Sequence, residues 1–189
     1  MIVIPQESSN NKPETASGNL ILRAPGLDDG AAIWRLVKDT GVLDLNSPYA
    51  YLLVAEHFGP TSVVAEIDGE IAGFVSAYCP PHKPETVFVW QVGVAAAGRG
   101  RGLATRMLFD IMRRPACAER GVRYLDTTIG PSNEASMALF RGFARKLDTA
   151  VEETELFARE HFPDPEAHEP EILFRIGPVD RARVPDPSA

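Results

Sequence analysis

The sequence predicts a mixed α/β layer in one domain, and three observations carry that prediction. Asp68-Gly69 joins two β-rich runs within "TSVVAEIDGEIAGFVSAY", and both residues tolerate the positive φ angles of a tight hairpin turn. Leu103, Met107, Leu108 and Ile111 recur at helical spacing directly after a third β-branched run, "TVFVWQVGVA". The chain has 189 residues, 44% of them hydrophobic, which suffices for one buried core and is ordinary for a globular protein.

In chain order, "NLILRAP" reads as a strand, and residues 27–39, with Ile33, Leu36 and Val37 at helical spacing, read as a helix. Ser47-Pro48 supplies an N-cap and an N1 proline for a second helix reaching about His57. The hairpin and the third strand follow. The helix that starts near Leu103 ends at Arg114-Pro115, where proline cannot continue it. "VRYLDTTI" is a further strand, "SNEASMALFRGFA" a further helix and "EILFRIG" a last strand. The polar run "PQESSNNKPETASG" buries little apolar surface, so residues 1–18 are expected to be a disordered tail. "GPVDRARVPDPSA" reads the same way, which leaves 19–176 as the domain and 177–189 as a flexible C-terminal tail.

Charge and cysteine content narrow the function classes. The net charge is −7, which argues against a nucleic-acid backbone as partner. No apolar run approaches the roughly 20 residues that cross a bilayer, and the first residues lack the pattern of a secretory signal, so a cytoplasmic protein without a membrane partner is expected. Cys79 and Cys117 have no companions at metal-ligand spacing and read as free thiols. With no Cys/His/carboxylate grouping elsewhere, no metal is expected.

The stretch "GRGRGLA" places Gly98, Gly100 and Gly102 where a strand gives way to a helix. Glycines there leave backbone N–H groups open to a ligand, and the helix N-terminus adds partial positive charge suited to a phosphate. Neither the Gly-Lys-Ser/Thr ending of a P-loop nor the dinucleotide fingerprint is present. Arg99, Gly102 and Ala104 instead form R-x-x-G-x-A, which resembles the pyrophosphate loop of the Gcn5-related N-acetyltransferases (GNAT). "NEASMALFRGF", about thirty residues on, resembles that family's second conserved segment. "VLDLNSPYAYLLVAEHF", "GEIAGFVSAYCPP", "VFVWQVGV" and "TTIGPSNEASMALFR" extend the likeness, over roughly residues 19–176, to the L-2,4-diaminobutyrate acetyltransferases of ectoine biosynthesis.

The resemblance implies a GNAT fold: a mixed, mostly antiparallel central sheet flanked by helices, with a splayed central strand pair. It implies acetyl-CoA as co-substrate, transfer to the γ-amine of 2,4-diaminobutyrate, and a homodimer. In such a fold the pantetheine pairs with the edge of strand 87–95, so that Gln91, Val92, Gly93 and Val94 line the thioester and a backbone N–H near Val92 polarises its carbonyl. Arg99, Gly100, Arg101, Gly102, Leu103 and Ala104 would hold the coenzyme. Asn133 either touches the pantetheine or is purely an N-cap.

For the amine, Asp44 in "DLNSPY" is the first candidate, with an Asx turn as its structural alternative. Asn46 and Tyr49 share that segment and can orient substrate; Trp90 can wall the pocket or serve the core; Thr127 and Thr128 can donate hydrogen bonds or only pack. Acetyl transfer needs a proton acceptor for the attacking ammonium. The central strand has Trp90-Gln91 where many family members carry a glutamate, so His168 or Glu171 in "AHEPEILF" are the candidate bases, and Glu171 can instead bind the α-ammonium. The family's usual acid, a tyrosine seven residues beyond the asparagine, falls on Phe140, which leaves Tyr49, water or an unprotonated thiolate. His57, His82 and His161 carry no supporting pattern. Competing readings are acetylation of another small amine (ornithine, lysine or a polyamine) and a non-catalytic acyl-CoA-binding module.

Overall fold

The computed structural model describes residues 19–41 and 43–186; the run 1–18, expected as a disordered tail, lies outside them, as do 187–189. Seven strands form one sheet: β1 (Leu20–Arg23), β2 (Val63–Ile67), β3 (Glu70–Tyr78), β4 (Thr86–Val94), β5 (Tyr124–Ile129), β6 (Val151–Phe157) and β7 (Glu171–Ile176). Their order across the sheet is β1-β2-β3-β4-β5-β7-β6, and every neighbouring pair is antiparallel except β4 and β5. The helices are α1 (Gly30–Thr40), α2 (Pro48–Phe58), α3 (Leu103–Arg113), a single-turn α4 (Pro115–Glu119) and α5 (Glu134–Lys146).

Local chemistry fixes several of these elements as the sequence predicts. Asp68 and Gly69 both take positive φ, 52° and 88°, so the β2–β3 hairpin closes with Ile67 opposite Glu70. Pro48 opens α2 at its first turn, although the Ser47 hydroxyl makes no capping bond. On one face of the sheet, Met107, Leu108 and Ile111 of α3 and Phe140 and Phe143 of α5 pack on Val87, Val89, Leu125 and Phe174. On the other face, Ile33, Leu36 and Val37 of α1 and Tyr51 and Val54 of α2 cover Val64 and Phe74.

Two segments depart from the expectation. β6 forms over "VEETELF", a run to which the sequence assigned no element; it pairs only with β7, and its residues are exposed beyond Val151. A sheet edge accepts that composition because charges there discourage pairing with another chain. Residues 177–186, expected to be a flexible tail, lie against the domain. Val179 and Val184 are each 3% exposed within the main core, Val179 N–H donates to Arg123 O at 2.7 Å, and Arg113 Nη1 donates to Val184 O at 2.9 Å. Two apolar anchors among prolines and charges are enough to dock the segment, and composition averages hide them.

Candidate active site

The sheet opens at its centre. β4 and β5 run in parallel from Thr86 opposite Tyr124 to Val89 opposite Thr127, where pairing stops although β4 continues to Val94 and β5 to Ile129. At the same level β4 carries a bulge: Ser76 faces Gln91 and Ala77 faces Val89, so Trp90 is the extra residue. A bulge breaks the two-residue alternation of a strand, so Trp90 and Gln91 both serve the face that carries α1 and α2. Trp90 is 37% exposed at a cavity wall, whereas Gln91 is buried and donates from Nε2 to Asp44 O at 2.9 Å, which fixes the Asp44 loop beside the opening.

Beyond β4 the chain turns through a 3-10 segment, Ala96–Gly98, and Gly100 and Gly102 adopt left-handed φ values of 70° and 67°. Side chains other than glycine rarely take that conformation, and Gly102 serves in it as the N-cap of α3. Val94, Arg99, Gly100, Gly102, Leu103 and Ala104 line a depression of about 240 Å³, which Ala135 and Leu139 of α5 complete. Arg101 is exposed at the side of the loop and lies outside that lining. Asn133 caps α5, its side chain accepting from Ser136 N–H at 3.1 Å, and its Nδ2 is buried without a protein partner. Val92 belongs to the core, and a Cβ on Gly93 would sit 2.8 Å from Leu36, so packing as well as any ligand restricts that position.

On the part of the α1 and α2 face left uncovered by those helices lies a cavity of about 790 Å³. Asp44, Trp90, Thr128, His168 and Glu171 all line it, so five of the residues selected from sequence converge there. Glu171 Oε2 is buried with no hydrogen-bond partner, and the His168 ring stacks on Phe162 at 4.7 Å. Thr127 does not join them. Alternation along β5 turns it to the opposite face with Leu125 and Ile129, fully buried, its hydroxyl unpartnered. Asn46 and Tyr49 lie outside the lining; Tyr49 is 65% exposed on the first turn of α2. Phe140 is fully buried in the core.

The cavity also holds groups that sequence reasoning passed over: Tyr78, His82, Lys83, Asp126, and Leu156 and Phe157 of the unforeseen β6. Burial raises the Tyr78 hydroxyl's pKa above its ordinary value. Asp126 is 1% exposed, and its carboxylate meets Arg175 Nη1 at 2.9 Å and Lys83 Nζ at 3.5 Å. Burial pushes its pKa up, against the opposing pull of Arg175 and Lys83. The signal available in the sequence was the lone charge inside the apolar run "YLDTTI", since a buried polar residue is the informative kind. Among the described residues, no three His, Cys, Asp or Glu side chains converge in a way that could hold a metal ion, and no helix is long and apolar enough to cross a membrane.

A sheet splayed beside a glycine-rich loop, with a carboxylate-lined cavity on its open face, defines an acyl-coenzyme A-dependent transferase. The family model for the acetyltransferase (GNAT) family matches residues 31–143, and the chain belongs to that family. Within it, the chain is similar to L-2,4-diaminobutyric acid acetyltransferases. That of Marinococcus halophilus is 49% identical over 163 residues, 86% of this chain and 92% of that one. That of Halalkalibacterium halodurans is 40% identical over 177 residues, 94% and 92% of the two chains. Among solved structures, the diaminobutyrate acetyltransferase EctA from Paenibacillus lautus, in complex with L-2,4-diaminobutyric acid and coenzyme A, superposes with a TM-score of 0.80 at 46% identity, covering 86% of this chain and 96% of that one. Ard1 from Thermoplasma volcanium, at 11% identity and a TM-score of 0.67, shares the fold.

Proposed function

We propose that the protein is an acetyl-CoA-dependent N-acetyltransferase that transfers acetyl to the γ-amino group of L-2,4-diaminobutyrate, the acetylation step of ectoine biosynthesis. The observation that carries this reading is the cavity itself: Asp44 and Glu171 line it beside the strand opening, and a diamino acid brings two ammonium groups that need such acceptors. Relatives at 40–49% identity bearing that activity in their names agree with it.

The γ-nitrogen attacks the thioester carbonyl directly, a C–N bond forms, the carbonyl is restored and the C–S bond breaks. The thioester lies along the unpaired edge of β4 beyond Val89, where backbone N–H groups of the 92–94 stretch are available to the carbonyl oxygen. Asp44 holds an ammonium, Trp90 walls the pocket, and Glu171, whose Oε2 has no protein partner, takes the proton that the amine loses. Asn46 lies two residues after Asp44, Tyr49 lies in the first turn of α2, and both orient the substrate from beside the cavity lining. Arg99 and the 100–104 backbone hold the pyrophosphate. The enzyme acts in the cytoplasm as a homodimer in this reading, which light scattering of the purified chain tests.

The decisive experiment measures thiol release from acetyl-CoA across 2,4-diaminobutyrate, ornithine, lysine and spermidine, with NMR of the product. A kcat/KM preference for diaminobutyrate with acetyl on the γ-nitrogen is expected. Preference for another amine discards the assigned pocket, and silence across the panel favours a coenzyme-binding module.

A further inference from the structure

The cavity is electrically polarised. Asp44 is tied to the level of Gln91 by the Gln91–Asp44 bond, and Glu171 lies one residue beyond Ile172, which pairs with Ile129 at the end of β5; both carboxylates therefore sit at the splayed end. Asp126 lies below it, opposite Phe88 on β4 and Arg175 on β7. Arg175 Nη1 reaches both Asp126 oxygens, at 3.2 and 2.9 Å, while its guanidinium lies 4.0 Å over the Tyr124 ring. One cation thus already answers this carboxylate. Lys83, at a looser 3.5 Å, leaves the three-residue cluster with a surplus positive charge facing the cavity, and it is the single Lys or Arg in the cavity lining among the described residues.

We infer that Lys83 is the specificity-determining residue that binds the substrate's α-carboxylate; this rests on the diamino-acid reading above. Three features support it. Lys83 is pre-positioned: its N–H donates to Pro80 O and its carbonyl accepts from Thr86 N–H, both at 3.0 Å, so the turn holds its backbone. An ammonium has three donors, so the contact with Asp126 leaves others for a ligand. The spacing also fits. Asp126 and Thr128 lie two residues apart on one face of β5, about 7 Å along a strand. Extended diaminobutyrate spans about 5 Å from γ-nitrogen to carboxylate carbon at standard bond lengths. A substrate with its γ-amine at the opening therefore brings its carboxylate to Lys83.

The test compares kcat/KM for 2,4-diaminobutyrate with that for 1,3-diaminopropane, the same diamine without the carboxylate, in the wild type, Lys83→Met and Lys83→Arg. Lys83→Met is expected to lower the ratio of the two by roughly ten- to a hundredfold, the range for losing a hydrogen bond between charged groups, and Lys83→Arg to keep most of it. An unchanged ratio in Lys83→Met overturns the inference, as does an equal loss on both amines, which marks a structural role. A wild type that acetylates both amines equally refutes the diamino-acid reading itself, before any variant is compared.

Discussion

Asn133 separates a structural duty from a binding one within a single side chain. Its Oδ1 accepts from Ser136 N–H at 3.1 Å and caps α5, while Nδ2 is buried and meets no protein acceptor. The capping bond contributes about 1 kcal/mol, and in a domain of this size that corresponds to a fall of about 2–4 °C in melting temperature for Asn133→Ala. Asn133→Asp keeps an acceptor at the helix start, where negative charge is favourable, so its melting temperature should stay near the wild-type value. It removes the N–H donor, however, and adds a negative charge at the start of α5. If Nδ2 serves the coenzyme, loss of one hydrogen bond weakens binding by several-fold to about tenfold. Calorimetric titration with coenzyme A on both variants, alongside thermal melts, reads the two effects separately. Wild-type affinity in Asn133→Asp would refute the binding role and leave Asn133 as a cap alone.

Asp44→Ala should raise KM for diaminobutyrate by about tenfold or more while coenzyme affinity holds, because the Gln91 bond that fixes this loop goes to the Asp44 backbone; Arg99→Ala should do the reverse, and steady-state kinetics with coenzyme titration distinguish them. The Arg23 guanidinium, 2.6 Å away, holds the Asp29 carboxyl below its usual pKa of 3.8. That contribution to stability is fully present above the unfolded pKa and disappears as pH falls through the lower folded value. Denaturant melts should therefore show Asp29→Asn less stable than wild type at neutral pH, with the gap closing in acid. The Cys117 S–H donates to Cys79, which, with the nearby charge of Arg120, holds the Cys79 thiol below its ordinary range despite burial, while Cys117 is raised. An alkylating reagent should thus react with Cys79 at lower pH than with an ordinary thiol and spare Cys117, and because neither sulfur lines the cavity or the glycine-rich loop, both alanine variants should retain turnover.

The parts of the fold that were legible are those whose local chemistry has one solution. Asp68-Gly69 can do little between two β runs except turn, and Leu103, Met107, Leu108 and Ile111 can share a face only on a helix. The conformation of the glycine-rich loop was legible for the same reason, since Gly100 and Gly102 occupy left-handed positions that favour glycine. β6 was hidden because an exposed edge strand has no apolar alternation to display, and Val179 and Val184 because two buried valines do not alter the character of a polar run. Within the site, Asp44, Trp90, Thr128, His168 and Glu171 converge as expected. Thr127 and Thr128 are neighbours of identical type, and only the register of β5 decides which faces the cavity. Lys83 and Asp126 lie 43 positions apart, and their pairing exists only once the turn after β3 folds over β5.

Proton movement ties the missing acid to this arrangement. Acetyl transfer converts an ammonium into an amide, so the nitrogen must release protons, while the departing sulfur can leave as a thiolate without receiving one. The first need is the stricter, because an ammonium has no lone pair with which to attack. Phe140 stands at the position where the family resemblance leads one to expect the acid, and it is fully buried, so the sulfur receives no help from that position. Glu171, by contrast, offers a buried oxygen with no competing partner on the wall of the substrate cavity. Chemistry is thereby concentrated on the amine side of the reaction. In the proposed mechanism, charge placement there performs two tasks at once: Asp44 and Glu171 at the splayed end draw the γ-ammonium towards the thioester and accept its proton, and Lys83 at the far end keeps the α-carboxylate away from it.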